Sequence, residues 1–167
     1  MKCLILASGF GTRLYPLTLN KAKALLEYRG KPLLTHIVEK IPPNLDILIT
    51  TNRKFERDFY RWRESVGREV EIGVEDVQTE EQRKGAIGSL AFWIKQKDIK
   101  EDLLVLACDN YFEFDLSRFI AAYDGGDTLV AVHDVGDRTK AAVNAAKIKK
   151  LRKLERRKER RRWVGIG

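Results

Sequence analysis

Cysteine and histidine are scarce in this 167-residue chain, with two of each. Cys3 and Cys108 both sit in apolar runs, which predicts buried free thiols and no disulfide. His36 falls within a helical pattern and His133 ends a strand pattern, where no ligand-spaced partners surround it. No apolar run reaches the roughly 18 residues a membrane span requires, so none is expected. The opening Met1-Lys2-Cys3-Leu4-Ile5-Leu6 is too short an apolar stretch for a signal peptide. The cytoplasm is therefore the expected location. Internal repeats are lacking as well.

Charge is plentiful, at 34% of residues, and the net of +8 is unevenly placed. Residues 147–162, KIKKLRKLERRKERRR, hold five Lys and six Arg against Glu155 and Glu159. That segment alone carries +9, which leaves −1 for the rest of the chain. A nucleic-acid partner is therefore expected only through this tail. The chain as a whole is 44% hydrophobic, enough to bury a core in a single domain.

Short apolar runs alternate with amphipathic stretches. Strands are expected at Lys2–Ala7, Leu45–Thr50, Glu69–Val74, Leu103–Cys108 and Thr128–His133. Helices are expected over residues 32–41, 54–64, 85–97 and 116–123. Phe55, Phe59 and Trp62 form the packing stripe of the second helix. Such alternation predicts an α/β domain with a mostly parallel sheet. Open sheets of this type bind ligands beyond the carboxyl ends of their strands. Site residues are accordingly sought just after Ala7, Thr50, Val74 and Cys108.

The segment after the first strand reads Ala7-Ser8-Gly9-Phe10-Gly11-Thr12-Arg13-Leu14-Tyr15-Pro16-Leu17-Thr18. Two glycines behind a buried strand let backbone N–H groups approach a ligand, and phosphate is the natural guest. Arg13 adds planar donors for phosphate oxygens, with Lys21 and Lys23 following. The segment is neither a P-loop nor a G-x-G-x-x-G dinucleotide fingerprint, since Leu14 stands at the last glycine position. By itself it also suits a ligand-free turn.

Residues 4–34, LILASGFGTRLYPLTLNKAKALLEYRGKPLL, are similar to the signature of the sugar-phosphate nucleotidyltransferase family. That signature runs L-A-G-G-x-G-T-R-L-x-P-L-T, then P-K-x-L, then G-K-P-L/M. Ser8 replaces a glycine, and Ala22 replaces the proline before Lys23. Residues 81–90 resemble the family's base-reading segment through Gly85 and Gly88. Cys108-Asp109-Asn110 resembles its G-D-N motif, with Cys108 in place of glycine. The resemblance implies a three-layer, Rossmann-like (GT-A-like) fold with a mostly parallel sheet, truncated relative to the family.

The resemblance further implies a nucleotide site built from Ala7, Ser8, Gly9, Gly11, Thr12, Arg13, Gln82 and Gly85. Glu81 is the alternative to Gln82 for reading a base edge. Arg13, Lys23 and Asp109 would be the catalytic groups, with Asp109 holding Mg²⁺. As a plain sequence feature, Asp109 also suits a capped turn. Asn110 and Tyr111 rank behind it as substrate contacts. The partners implied are an NTP and a sugar 1-phosphate, joined as an NDP-sugar with release of pyrophosphate. Alternatives are a phosphocholine or inositol-phosphate cytidylyltransferase, and a non-catalytic nucleotide- or RNA-binding protein using the basic tail.

Two segments follow from this reading: a nucleotidyltransferase domain over 1–140 and a basic, helical tail over 141–167. The tail lacks the family's E-K-P motif and its second metal-binding Asp. It is a natural basic helix, a nucleic-acid arm, or the product of a frameshift or truncation. An exposed sheet edge left by missing strands would favour a homo-oligomer.

Overall fold

A computed structural model describes residues 1–126, 128–131 and 163–166. Strand β1 (Lys2–Leu6) is the centre of the sheet. A short hairpin follows, β2 (Glu27–Tyr28) and β3 (Lys31–Pro32), turning through Arg29 and Gly30, both at positive φ. Then come α1 (Leu33–Lys40), β4 (Ile47–Asn52), α2 (Glu56–Ser65) and β5 (Glu71–Glu75). The chain continues through α3 (Gly85–Gln96), β6 (Leu103–Ala107), α4 (Leu116–Ala121) and β7 (Leu129–Ala131). Strand β8 (Trp163–Ile166) completes the sheet.

All pairings in the main sheet are parallel, in the order β5-β4-β1-β6-β8-β7. Alternation along β1 divides the core. Cys3 and Ile5 face one side, where Leu34, Ile37 and Val38 of α1 and Phe59 and Trp62 of α2 pack with Leu104 and Leu106. Leu4 faces the other, against Trp93 and Ile94 of α3 and Leu48 and Leu103. Helices on both faces give the expected three layers, because successive strand residues point to opposite sides. The Trp62 indole N–H donates to Thr35 Oγ1 at 2.9 Å and ties α2 to α1.

The expected strands and helices are present, with shifts of a few residues at their ends. The hairpin was not anticipated, since two-residue strands leave no periodic signal. One expectation is corrected: within the tail read as helical, Trp163–Ile166 is a strand. These four residues carry no charge and pair with both β6 and β7, so the sheet satisfies their backbone groups better than a single helical turn would. The basic run 147–162, His133 and the remaining tail lie outside the described residues. Among the described residues, no helix is long and apolar enough to cross a membrane.

Candidate active site

Strand order reverses between β1 and β6. β4 and β5 follow β1 on one flank and β6 lies on the other, which opens a crevice at their carboxyl ends. Leu6 pairs with Ala107, so the turn leaving β1 and the segment leaving β6 emerge side by side. Cys108 N–H donates to the Leu6 carbonyl at 3.2 Å and extends that contact one step further.

Gly11 sits at φ 67°, and a Cβ there would stand 3.1 Å from Thr18 Cγ2 and 3.3 Å from Lys23 Cβ. Both the backbone conformation and the space thus require glycine. The buried Thr18 hydroxyl donates to the Gly11 carbonyl at 2.7 Å and closes the loop on itself. Thr12–Leu14 forms one 3₁₀ turn that carries Arg13 outward into solvent. Gly9 has open space where a side chain would stand.

Ala22 adopts φ −61°, ψ 140°, close to the conformation a proline would impose. The backbone before Lys23 thus keeps a proline-compatible conformation without the ring. Its Nζ lies 2.6 Å from Asp109 Oδ2, an ion pair spanning 86 residues of sequence. The two side chains remain about one-third exposed, at 34% and 38%. Desolvation pushes the Cys108 thiol up to about 12, with the Asp109 charge acting the same way.

Other expected residues are placed differently. Ala7 is buried and its N–H donates to Thr50 Oγ1 at 3.0 Å, so it supports the turn from below. Gln82 Oε1 accepts from the N–H groups of Gln78 and Thr79, at 2.8 and 3.3 Å, as part of a capping box. Its carbonyl is thus engaged within its own loop. Gly85 opens α3 at φ 68°. Tyr111 packs 5.2 Å from Tyr28 and 5.9 Å from His36, between ring centroids, and holds the hairpin against α1.

Beneath the turn lies a polar layer that sequence reasoning missed. Asn52, at the end of β4, donates to the Ser8 carbonyl at 3.0 Å and accepts from Phe55 N–H at 3.1 Å. Glu75, at the end of β5, is 1% exposed. Its Oε1 accepts from the Ser89 hydroxyl and, at 3.3 Å, from the Trp93 indole N–H. Ser89 Oγ lies 3.2 Å from Ser8 Oγ. Burial raises the Glu75 carboxyl above its ordinary range, opposed by its hydrogen bonds and by the Lys84 charge. The available signal was positional: Thr50, Asn52 and Glu75 are polar residues ending apolar strands at two of the searched strand ends.

A family model described as the MobA-like NTP transferase domain matches residues 3–165. This chain belongs to that family. The match passes the 1–140 boundary expected from motifs and reaches into β8. Among relatives of this NTP transferase domain, a mannose-1-phosphate guanyltransferase of Pichia angusta is 35% identical over 140 residues. That alignment covers 78% of this chain and 37% of the guanyltransferase. A putative glucose-1-phosphate thymidylyltransferase of Bacillus anthracis superposes with a TM-score of 0.64 at 26% identity, covering 80% of this chain and 56% of that one. The CTP:phosphocholine cytidylyltransferase LicC of Streptococcus pneumoniae superposes with a TM-score of 0.55 at 28% identity, covering 69% and 47%. This chain thus spans well under half of that guanyltransferase and about half of each solved chain.

Proposed function

We propose that this chain transfers a nucleoside monophosphate from an NTP to a sugar 1-phosphate, giving an NDP-sugar and pyrophosphate. The observation that carries the reading is the Lys23–Asp109 pair, 2.6 Å apart at the crevice between β1 and β6, beside the Gly9–Thr12 turn. A cation and a carboxylate from distant segments meet where a parallel sheet presents a ligand.

In this reading an acceptor phosphate oxygen attacks the α-phosphorus while the bond to the pyrophosphate oxygen breaks. No protein nucleophile is required. Catalysis rests on alignment and charge neutralisation. Backbone N–H groups of Ser8, Gly9, Gly11 and Thr12 would line the triphosphate, with Arg13 and Lys23 offsetting its charge. Gly85 and the amide N–H₂ of Gln82 would face the base. Asp109, a partly exposed carboxylate at the carboxyl end of β6, would be the protein's ligand to Mg²⁺, an ion commonly held by one or two carboxylates and substrate phosphates. With substrate phosphates completing its shell, the ion would supply charge stabilisation at the reacting phosphates.

A pyrophosphate-release screen over four NTPs and several sugar 1-phosphates tests the reading, with Asp109→Ala as control. Release must depend on both substrates and fall in the variant. Absence of release and of NTP binding throughout the screen would overturn it. The likeness to LicC favours a second reading, a cytidylyltransferase acting on phosphocholine or a similar phosphorylated alcohol. CTP-restricted release with phosphocholine would establish that alternative.

A further inference from the structure

The Glu75 carboxyl is out of water, yet among the described residues it forms no ion pair. Buried carboxyl groups are costly, so the bonds that retain it matter. Proton accounting fixes their direction. The Trp93 indole can only donate, so Glu75 Oε1 is an acceptor. Ser89, bonded to the same oxygen, spends its hydrogen on it. The Ser8 hydroxyl, 3.2 Å from Ser89 Oγ, must then direct its own hydrogen inward. Asn52 meanwhile holds the Ser8 carbonyl. The Ser8 hydroxyl and carbonyl are thus both engaged within the protein.

Gly73 belongs to the same arrangement. A Cβ at this position would stand 2.6 Å from the Trp93 ring. The absent side chain two residues before Glu75 lets the indole lie flat on β5 and reach the carboxyl. α3 is thereby fastened to β5 by Trp93 and to the turn by Ser89.

We propose that Glu75 is a positioning residue that, through Ser89, fixes the Ser8–Thr12 turn relative to helix α3. The placement itself is a property of the free protein; its use in nucleotide binding rests on the reading given above. Ser8, where the family signature has glycine, is the contact that makes the link possible. Glu75 acts on the ligand only through Ser89 and Ser8.

The test has two parts. In ¹⁵N–¹H spectra of the ligand-free protein, Ser89→Ala and Glu75→Leu should shift the Gly9 and Gly11 amides and leave Gly30 and Gly67 in place. Glu75→Gln, which keeps the acceptor oxygen, should restore the wild-type positions. Unmoved turn amides in Ser89→Ala would overturn the proposal. In NTP titrations, Ser89→Ala and Ser8→Ala should each weaken binding about fivefold, the equivalent of one hydrogen bond. The double variant should lose no more than either single, since all three remove the same link. Additive losses would overturn the link. If the amides shift but no NTP binds the wild-type protein, the placement stands and the proposed function fails.

Discussion

Separating Lys23 from Asp109 should damage turnover far more than stability. The pair is 2.6 Å apart and about one-third exposed on each side. In a water-like dielectric its attraction is on the order of 1–2 kcal/mol. Ordering two solvated side chains takes back most of that, which leaves under about 1 kcal/mol of net stabilisation. For a chain of this size, about 1 kcal/mol corresponds to roughly 2–4 °C in melting temperature. Lys23→Ala and Asp109→Ala should therefore each melt within about 4 °C of the wild type. Their cost in the proposed reaction should be about 10²- to 10³-fold, the usual loss when a group stabilising transition-state charge is removed. Removing both should cost less than the product of the single losses, because the groups act on the same phosphates. Scanning calorimetry and steady-state pyrophosphate release, on the same samples, provide the comparison. A fall of about 10 °C or more with retained turnover would refute the reasoning, by showing the pair to be a structural clasp.

Gly11→Ala should destabilise the protein by about 1–2 kcal/mol, because alanine at φ 67° is strained and its Cβ would meet Thr18 and Lys23. A denaturant midpoint equal to wild type would contradict this. Ala22→Pro should be neutral or raise stability by about 0.4–1 kcal/mol, since φ is already −61°; a lowered midpoint would show that the ring does not fit. Glu75 makes stability depend on pH. Its folded value lies above the ordinary 4.5, so the folded protein holds this proton more tightly than the unfolded chain does. Its contribution is fully present below about 4.5 and is lost as pH rises from there through the raised folded value. Glu75→Gln should flatten that decline, as urea titrations between about pH 4 and 8 would show; an unchanged slope would argue against a neutral carboxyl.

The architecture was legible because β1 and β6 are nearly continuous apolar runs, β4 opens on Ile47-Leu48-Ile49, and the helices carry a clear periodicity. Arg13, Lys23 and Asp109 are candidates by motif, and the structure brings Lys23 and Asp109 together while Arg13 stays on the solvent side of the turn. Ala22 shows how a motif can lose a proline while the backbone keeps a proline-compatible conformation. The polar layer of Asn52, Glu75 and Ser89 was not legible. Its members are ordinary polar residues separated by up to 37 positions, and only the sheet register assembles them. Gln82 went the other way: its donors and acceptor suit a base edge, but a local capping box takes its carbonyl first. β8 escaped notice because charge in the tail outweighed four uncharged residues after it.

The central position of β1 sets the order in which the molecule can be built. Within this chain the strand is made before its neighbours, gains β4 as a partner some forty residues later, and waits for Leu103–Ala107 before its second edge is covered. At about 5–20 residues per second, that interval is roughly 5–20 s during which a row of backbone donors and acceptors faces water. The chain therefore carries an unprotected template through much of its synthesis, and crowding among nascent copies should lower the yield of native protein well before any mature contact is weakened.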